Sequence, residues 1–542
     1  MKRALSATIT ALFCIAITSP AHAQTSNGFG TDWDNPTSAV APIDRPETES
    51  CQVELVDNVF DDDRPFESTY RPDEECGTSW SKVVLDMHGE VSGRQHDRLA
   101  TLEIGGVPVF KTSTPQPSPE GIEWDVERDL TGYSSLLTAE NPVVMILDNT
   151  VDAVYTGVFD IQVTLTFYTA DEDHTAPNVA DRVLPLTDGD RAGADLTGEL
   201  TVPRNSHRLL ADVYATASGG GCEEFWYLTA PPDTGYQCES ADGPHREVQV
   251  LIDDQLAGIA LPYPAVYGGG WSNPFLWYAL PAPRAFDLTP LTYDLTPYLG
   301  LLNDGEAHEI TVRVVGVHDT GEGWSTPVAF RAWQDHSISQ VTGGVLMSKT
   351  APLSNDAEVS VTGDETEVVA TAGHRHTATG WLQTSQGRIL TTVDRVVSHV
   401  STHTFGPDGN PDALDAHLSD VESRTVLGAS ATTESRETVH NYDIDGHITV
   451  DDGRLTTEIA LNDHSSSELT SARGTTSNIV IDHSFEGAAS WNTDVSREER
   501  YAEGTSQSRY RATSDSGGGY GNCYDRQIRT AGGHVTADRR RC

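Results

Sequence analysis

Residues 81–104 read SKVVLDMHGEVSGRQHDRLATLEI. Two apolar runs, Lys82 to Met87 and Leu99 to Ile104, flank the charged hexapeptide Gly93-Arg94-Gln95-His96-Asp97-Arg98. Each run is short, rich in β-branched or large apolar residues, and bounded by glycine and charge, which reads as strand rather than helix. The unit recurs at Val143 to Leu147 and Phe159 to Phe167, then near Arg208 to Ala215, Glu247 to Ile252 and Glu309 to Val317. Short strands with regular turn signals predict an all-β chain of sandwich or jelly-roll type, with two adjacent sandwiches. No long stretch keeps a 3.6-residue apolar period, so little helix is expected.

Outward from this core the composition changes. Lys2, Arg3, an apolar run from Ala11 to Thr18 and Ala21-His22-Ala23 form an export signal over 1–23. Residues 24–50 are rich in Pro, Ser, Thr and Asp and read as a leader lying over the surface. The strand pattern then fills 51–175, pauses across Ala170 to Gly193, and resumes over 176–340. From 341 to 542 Thr, Ser, His, Asp and Glu dominate, and a further β-rich region with open or one-sided sheets is expected. There Tyr442 to Val450 and Leu455 to Leu461 read as a hairpin closed by Asp451-Asp452-Gly453. Ser514 to Gly521 reads as a loop.

The chain carries 35 Lys plus Arg against 81 Asp plus Glu, a net charge of −46. That balance argues against nucleic acid as a partner, since phosphates call for basic surfaces. No stretch after the signal is apolar for the roughly 18 residues a membrane helix needs, so no span is expected. Ten Trp, 17 Tyr and 13 Phe supply large core side chains and argue against disorder.

Beyond the signal's Cys14, six cysteines fall into neighbouring couples: Cys51/Cys76, Cys222/Cys238 and Cys523/Cys542. Neighbour pairing predicts three disulfides, each contributing on the order of 3 kcal/mol. A zinc site is disfavoured because no close Cys-x-x-Cys occurs. Disulfides place the protein in the periplasm or outside the cell.

Two segments hold candidate chemistry. In the hexapeptide Asp97 stands between Arg94 and Arg98, which would keep a carboxylate ionised to orient a water or sugar hydroxyl; a strand-end ion-pair cluster is the plainer alternative. In Cys222-Glu223-Glu224-Phe225-Trp226-Tyr227 two acids precede three rings, a composition suited to stacking a pyranose and gripping its hydroxyls. A core aromatic cluster with solvated acids fits that segment too. Tyr263 and Trp271, on loops rich in Pro and Gly, extend the ring set. His374-x-His376, His399 and His403 have metal-compatible spacing, but a His-rich region produces such pairs by chance. Asp443-x-Asp445-Gly446 starts like a calcium loop, lacks the later acid, and reads as a turn. No Gly-x-Ser-x-Gly, phosphate-binding loop or dinucleotide fingerprint occurs.

One ordered series goes further: Ser81-Lys82-Val83-Val84-Leu85; Gly93-Arg94-Gln95-x-Asp97-Arg98; Gly121-Ile122-x-Trp124-x-Val126-Glu127-x-Asp129; Glu224-Phe225-Trp226-Tyr227; Gly243-Pro244-x-Arg246-Glu247-Val248; Pro262-x-Pro264-x-x-Tyr267; and Asp294-Leu295-Thr296-Pro297-Tyr298-Leu299. It resembles the acidic-pH peptide-N-glycosidases of the A type, densely over 45–340 and thinly at Gly380-Trp381-x-x-Thr384-Ser385-x-Gly387. The resemblance implies an amidase that cuts the β-aspartylglucosaminyl bond of N-glycoproteins, releases a glycosylamine and leaves Asp for Asn. It also implies two adjoining jelly rolls with the site at their junction, no metal and no cofactor. By that likeness Asp97 and Glu224 are the key acids, with Arg98 beside Asp97. Arg94, Glu223, Trp226, Tyr227, Arg246, Tyr263, Trp271 and Asp148 are expected at the substrate. The Cys222 to Cys238 loop departs from plant members. A monomer acting on an N-glycopeptide is the expected form. The rivals are a glycan-binding protein without catalysis and an endo-acting glycoside hydrolase.

Overall fold

The computed structural model describes residues 34–117, 121–219, 221–267, 277, 279–317, 323–428, 433–471, 474–491, 501–512 and 523–542. The export signal, Trp271 and Ser514 to Gly521 lie outside them. The chain is all-β, as expected. Lys82 to Met87 falls inside the strand Trp80–Ser92 and Phe159 to Phe167 inside Val158–Thr169, while Leu99–Ile104 and Glu247–Ile252 match end to end. Among the described residues α-helix is limited to the turn Leu299–Leu302.

Two four-stranded antiparallel sheets form the first part. One runs in the order Ser50–Phe60, Val158–Thr169, Trp80–Ser92, Ile122–Asp129; the other runs Phe66–Tyr70, Asn141–Leu147, Leu99–Ile104, Val107–Ser113. Alternate residues of a strand face one side, so Val83, Leu85 and Met87 from one sheet meet Leu102 and Ile104 from the other in a common core. Gly89 permits Trp124 to lie across its strand: a Cβ there would stand 2.5 Å from the indole.

A five-stranded sheet, Thr187–Ala192, Asp195–Leu200, His308–Val315, Glu247–Ile252, Gln255–Ala260, belongs to the second part. With it goes a four-stranded sheet, Leu291–Asp294, Ser206–Val213, Val328–Gln334, Arg182–Pro185. The expected pause before residue 194 is corrected by two of these strands. Thr187–Ala192 is exposed at all six positions, so as an edge strand it needs no apolar residues and leaves no apolar signal.

Residues 342–540 build one eleven-stranded antiparallel sheet, with strands as long as the 20 residues of Glu365–Thr384. The hairpin turn falls where expected, between Thr433–Asp451 and Arg454–Ser471, with Asp452 and Gly453 at φ 46° and 77°. Asp443 and Asp445 are corrected from a turn to mid-strand positions, Asp443 accepting from His417. The strands bury alternate residues, and Val368, Leu414, Ile444, Leu461 and Phe485 join Val248, Val250, Ile259 and Tyr293 in one core. The last sheet therefore shares its interior with the second sandwich.

The cysteines pair with their neighbours in sequence, as expected. Cys51 is joined to Cys76, Cys222 to Cys238 and Cys523 to Cys542, with Cα separations of 5.3, 5.3 and 5.8 Å. The first bridge ties the buried Cys76, at the end of a 3-10 turn, to the edge strand Ser50–Phe60. The last joins Cys523, at the start of the strand Cys523–Ala531, to the exposed Cys542 just past the final strand, His534–Arg540.

From residue 34 the leader runs along the surface, half-buried or exposed except at Ala39. Ala39 is buried, Tyr524 donates to its carbonyl at 3.1 Å, and Arg45 pairs with Asp86 and Glu127.

Candidate active site

The hexapeptide 93–98 is the loop between Trp80–Ser92 and Leu99–Ile104, and Gln95 shapes it. Its buried amide donates to the carbonyls of Thr150 and Gly157, while its Oε1 accepts from the His96 N–H and, at 2.7 Å, from the Arg98 guanidinium. The Arg98 N–H donates to Thr114 Oγ1 at 2.9 Å. These bonds leave Asp97 partly exposed, lining a cleft with Ser113, Gln116, Tyr267 and Trp277.

The electrostatics differ from expectation. Arg94 lies over the Tyr155 ring, 5.4 Å from its centroid, and Arg98 is turned to Gln95. Burial outweighs the pull of Arg98, so the Asp97 carboxyl is pushed up from its ordinary value.

Glu224 sits on the loop that the Cys222–Cys238 disulfide ties down, just before the 3-10 turn Trp226–Leu228. The other four cysteines, Cys51, Cys76, Cys523 and Cys542, line neither cleft of the site and brace the frame alone. The neighbouring Glu223 is buried and accepts from Arg246 Nε at 3.0 Å, Arg246 Nη2 at 2.8 Å and the Trp324 indole N–H. Arg246 is fully enclosed and also donates to the Gly243 and His245 carbonyls. Glu223 and Arg246 are thus corrected from substrate contacts to an internal pair that fixes the loop. Tyr227 likewise points inward, its hydroxyl donating to the Ala265 carbonyl. Trp226 is buried, packs edge-on against His399, and shows one side to a second cleft shared with Glu224, Tyr263 and Tyr267.

Tyr267 belongs to both clefts. Burial, then the charges of Glu224 and Asp97, push its phenol far above the usual value. Glu224 thus lines one cleft and Asp97 the other, with Tyr267 on the wall of both. Asp148, by contrast, is exposed and lines neither cleft.

Sequence reading misses Arg284. It lines the Glu224 cleft, its guanidinium lies over Tyr263 at 4.6 Å, and Tyr263 donates to the Pro283 carbonyl. Its φ of 60° is a left-handed backbone that nothing in Ala282-Pro283-Arg284 announces. Both clefts are narrow, about 20 and 30 Å³, room for a water each.

The histidines with metal-compatible spacing are engaged otherwise. His374 bonds Glu247, His376 bonds Tyr298 and Thr350, and His403 bonds Asp412.

Acids from two β-sandwiches, lining two clefts that share one tyrosine and ringed by aromatic side chains, are a constellation suited to hydrolysis of a sugar-bearing bond. The chain belongs to the family described as peptide N-acetyl-β-D-glucosaminyl asparaginase amidase A, which matches residues 40–350. A relative from Prunus dulcis, peptide-N4-(N-acetyl-β-glucosaminyl)asparagine amidase A, is 27% identical over 400 residues, covering 68% of this chain and 69% of its own. Among solved structures, a peptide-N(4)-(N-acetyl-β-D-glucosaminyl)asparagine amidase matches with TM-score 0.35 and 14% identity over 54% of this chain and 98% of that one. PNGF-II matches with TM-score 0.37 and 12% identity over 53% and 66%. Both scores are too low to carry a structural argument.

Proposed function

We propose that the protein hydrolyses the amide between N-acetylglucosamine and asparagine in N-glycopeptides. The observation that carries this reading, beside family membership, is that Glu224 and Asp97 line two clefts that share Tyr267. Water attacks the side-chain carboxamide carbon, the carbon–nitrogen bond breaks, and nitrogen leaves with the glycan as a glycosylamine. Asn becomes Asp. Asp97 takes the proton of the attacking water, and its raised pKa makes it a stronger base once ionised. Glu224 holds the first sugar and returns a proton to the departing nitrogen. Arg98 holds the Asp97 loop through Gln95. Trp226 and Tyr263 offer ring faces.

The same reading takes the protein as exported, held by disulfides outside the cytoplasm, monomeric and independent of metal or cofactor. It takes the two sandwiches as jelly rolls at 51–175 and 176–340, with 341–542 as a third unit, and the working pH as acidic.

Digestion of a defined glycopeptide, read by mass, tests the reaction. Conversion of Asn to Asp raises the bare peptide by about one mass unit. A residual N-acetylglucosamine on Asn would make the protein an endo-acting glycosidase, and an unaltered glycopeptide would leave only binding.

A further inference from the structure

The largest cavity described lies on the far side of the candidate site's wall. About 1000 Å³ in volume, it shares Arg284 and Thr289 with the Glu224 cleft and is closed opposite by the C-terminal sheet. Ligand pockets run to about this size, so it is large for one sugar and ample for several.

Its charge is the reverse of the chain's. Eight arginines face it against seven carboxylates, whereas the whole chain has 35 bases to 81 acids. Most of these arginines are matched: Arg331 to Asp212 at 2.6 Å, Arg424 to Asp294 at 2.7 Å. Arg208, Arg436 and Arg540 are not. Among the described residues none of the three forms an ion pair, and the Arg208 Nε is buried without an acceptor while its guanidinium lies 4.6 Å from the Trp333 ring centre. Burial weakens its hold on its proton most, the nearby charge of Asp294 opposes that, and Arg424, Arg436 and Arg331 add to the weakening. A half-buried guanidinium whose Nε has no acceptor costs free energy that an incoming anion would recover. In so acidic a protein, arginines without an ion-pair partner beside a cavity mark a place suited to an anion.

We propose that this cavity binds an acidic oligosaccharide, a sugar chain bearing a carboxylate or sulfate that Arg208 and Arg436 grip. The opposite wall favours saccharide over acidic peptide. Thr438, Ser465, Ser467 and Ser506 present hydroxyls that suit a polyol, and Tyr442 and Trp333 add rings of the kind on which sugars stack. The inference rests on the glycan reading above and extends it to charged glycan arms reaching past the site wall.

Calorimetry of the full chain with sialyllactose, sulfated lactose, plain lactose and an Asp-rich peptide tests it. At least one charged saccharide should bind about tenfold more tightly than lactose, with an advantage that shrinks as salt rises. Which of the two gains identifies sugar acid or sulfate. Arg208→Met and Arg436→Met should each erase the preference, and Arg208→Lys should keep part of it. Near-UV circular dichroism verifies folding; should Arg208→Met not fold, Arg436→Met at the exposed rim gives the same reading. Equal binding of charged and neutral lactose, a preference surviving both substitutions, or equal binding of the peptide would overturn the proposal. Neutral-glycopeptide digestion by the unaltered protein, run in parallel, separates failure here from failure of the amidase reading.

Discussion

Arg284, on the wall of the candidate site, closes a two-point ion pair with Asp463 of the C-terminal sheet, at 2.5 and 2.9 Å. Its guanidinium is flanked by Tyr263 and Tyr442, 4.6 and 5.1 Å from their ring centres. The same sheet reaches the wall a second time, where Asp420, itself paired with Arg395, accepts from the Leu261 N–H at 3.1 Å. The last sheet therefore holds the segment that carries Tyr263 and Tyr267.

Asp463→Asn should cost about 3–5 kcal/mol, the usual consequence of leaving one buried partner uncompensated. The wall should loosen as well, so kcat on a glycopeptide should fall even where the protein stays folded. Thermal denaturation and steady-state rates measure the two effects; unchanged stability would refute the clamp.

Deleting 341–542 should yield insoluble protein. Val248, Val250, Ile259 and Tyr293 lie in a core completed by the removed strands, and exposing it leaves a large apolar patch. A soluble, active 1–340 fragment would show the sheet to be an accessory.

Asp97→Asn should lower kcat at least about a thousandfold if Asp97 is the base, with near-unchanged melting. Glu224→Gln should raise KM and lower kcat together, since it is assigned both to the sugar and to the leaving nitrogen. Near-normal release by the Asp97 variant would remove that residue from the mechanism.

Stability should fall between pH 6.5 and about 4. Burial pushes His245, His376, His440 and His483 down to about 4, and His399 to about 3. In that window the unfolded chain binds protons that the folded one refuses, so stability drops as pH falls, by about 1.4 kcal/mol per pH unit for each group. Raised groups act oppositely, among them His88, His308, Asp97, Glu103, His374 and Glu422. His374, raised mainly by its bond to Glu247, stabilises most below 6.5 and less as pH rises. Glu422, pushed up to about 7 by burial, holds its proton in the folded state and eases the loss down to about 4.5. The five strongly lowered groups outweigh these. Melting temperatures from pH 7 to 4 check the slope, and His399→Leu should flatten it. A flat profile in the unaltered protein would refute the assignment, and an acidic working range has to lie above this limit.

Lys111 is 1% exposed and donates to Ser325 Oγ at 2.9 Å. Burial drives its pKa down to about 7 from the ordinary 10.5. The penalty is complete below pH 7 and vanishes only above 10.5, so Lys111→Met should stabilise the protein at pH 5 by up to a few kcal/mol. Calorimetric melting at pH 5 and pH 10 should show that gain shrinking at the higher value.

Much of the fold is legible in the chain itself. The strands with strict alternation, such as Leu99–Ile104, are readable because burial on one face forces a period of two. Where burial is absent, as along Thr187–Ala192, that signal vanishes too. Asp97 and Glu224 stand out because charge and aromatic residues cluster around them in sequence. Glu223 and Arg246 sit in equally conspicuous motifs, yet chain order does not tell a side chain facing a cleft from one facing its ion-pair partner 23 residues away.

By itself, the sequence determined the all-β class, the disulfide couples, the acidic balance and the family's motifs, because each is set by local periodicity or composition. Only tertiary structure decided that Tyr267 lines the clefts of both acids, that Arg284 is clamped by Asp463, and that Arg208 lines a cavity with no acceptor for its Nε. Those relations link residues distant along the chain, through burial and Coulomb fields that exist only once the sheets have packed.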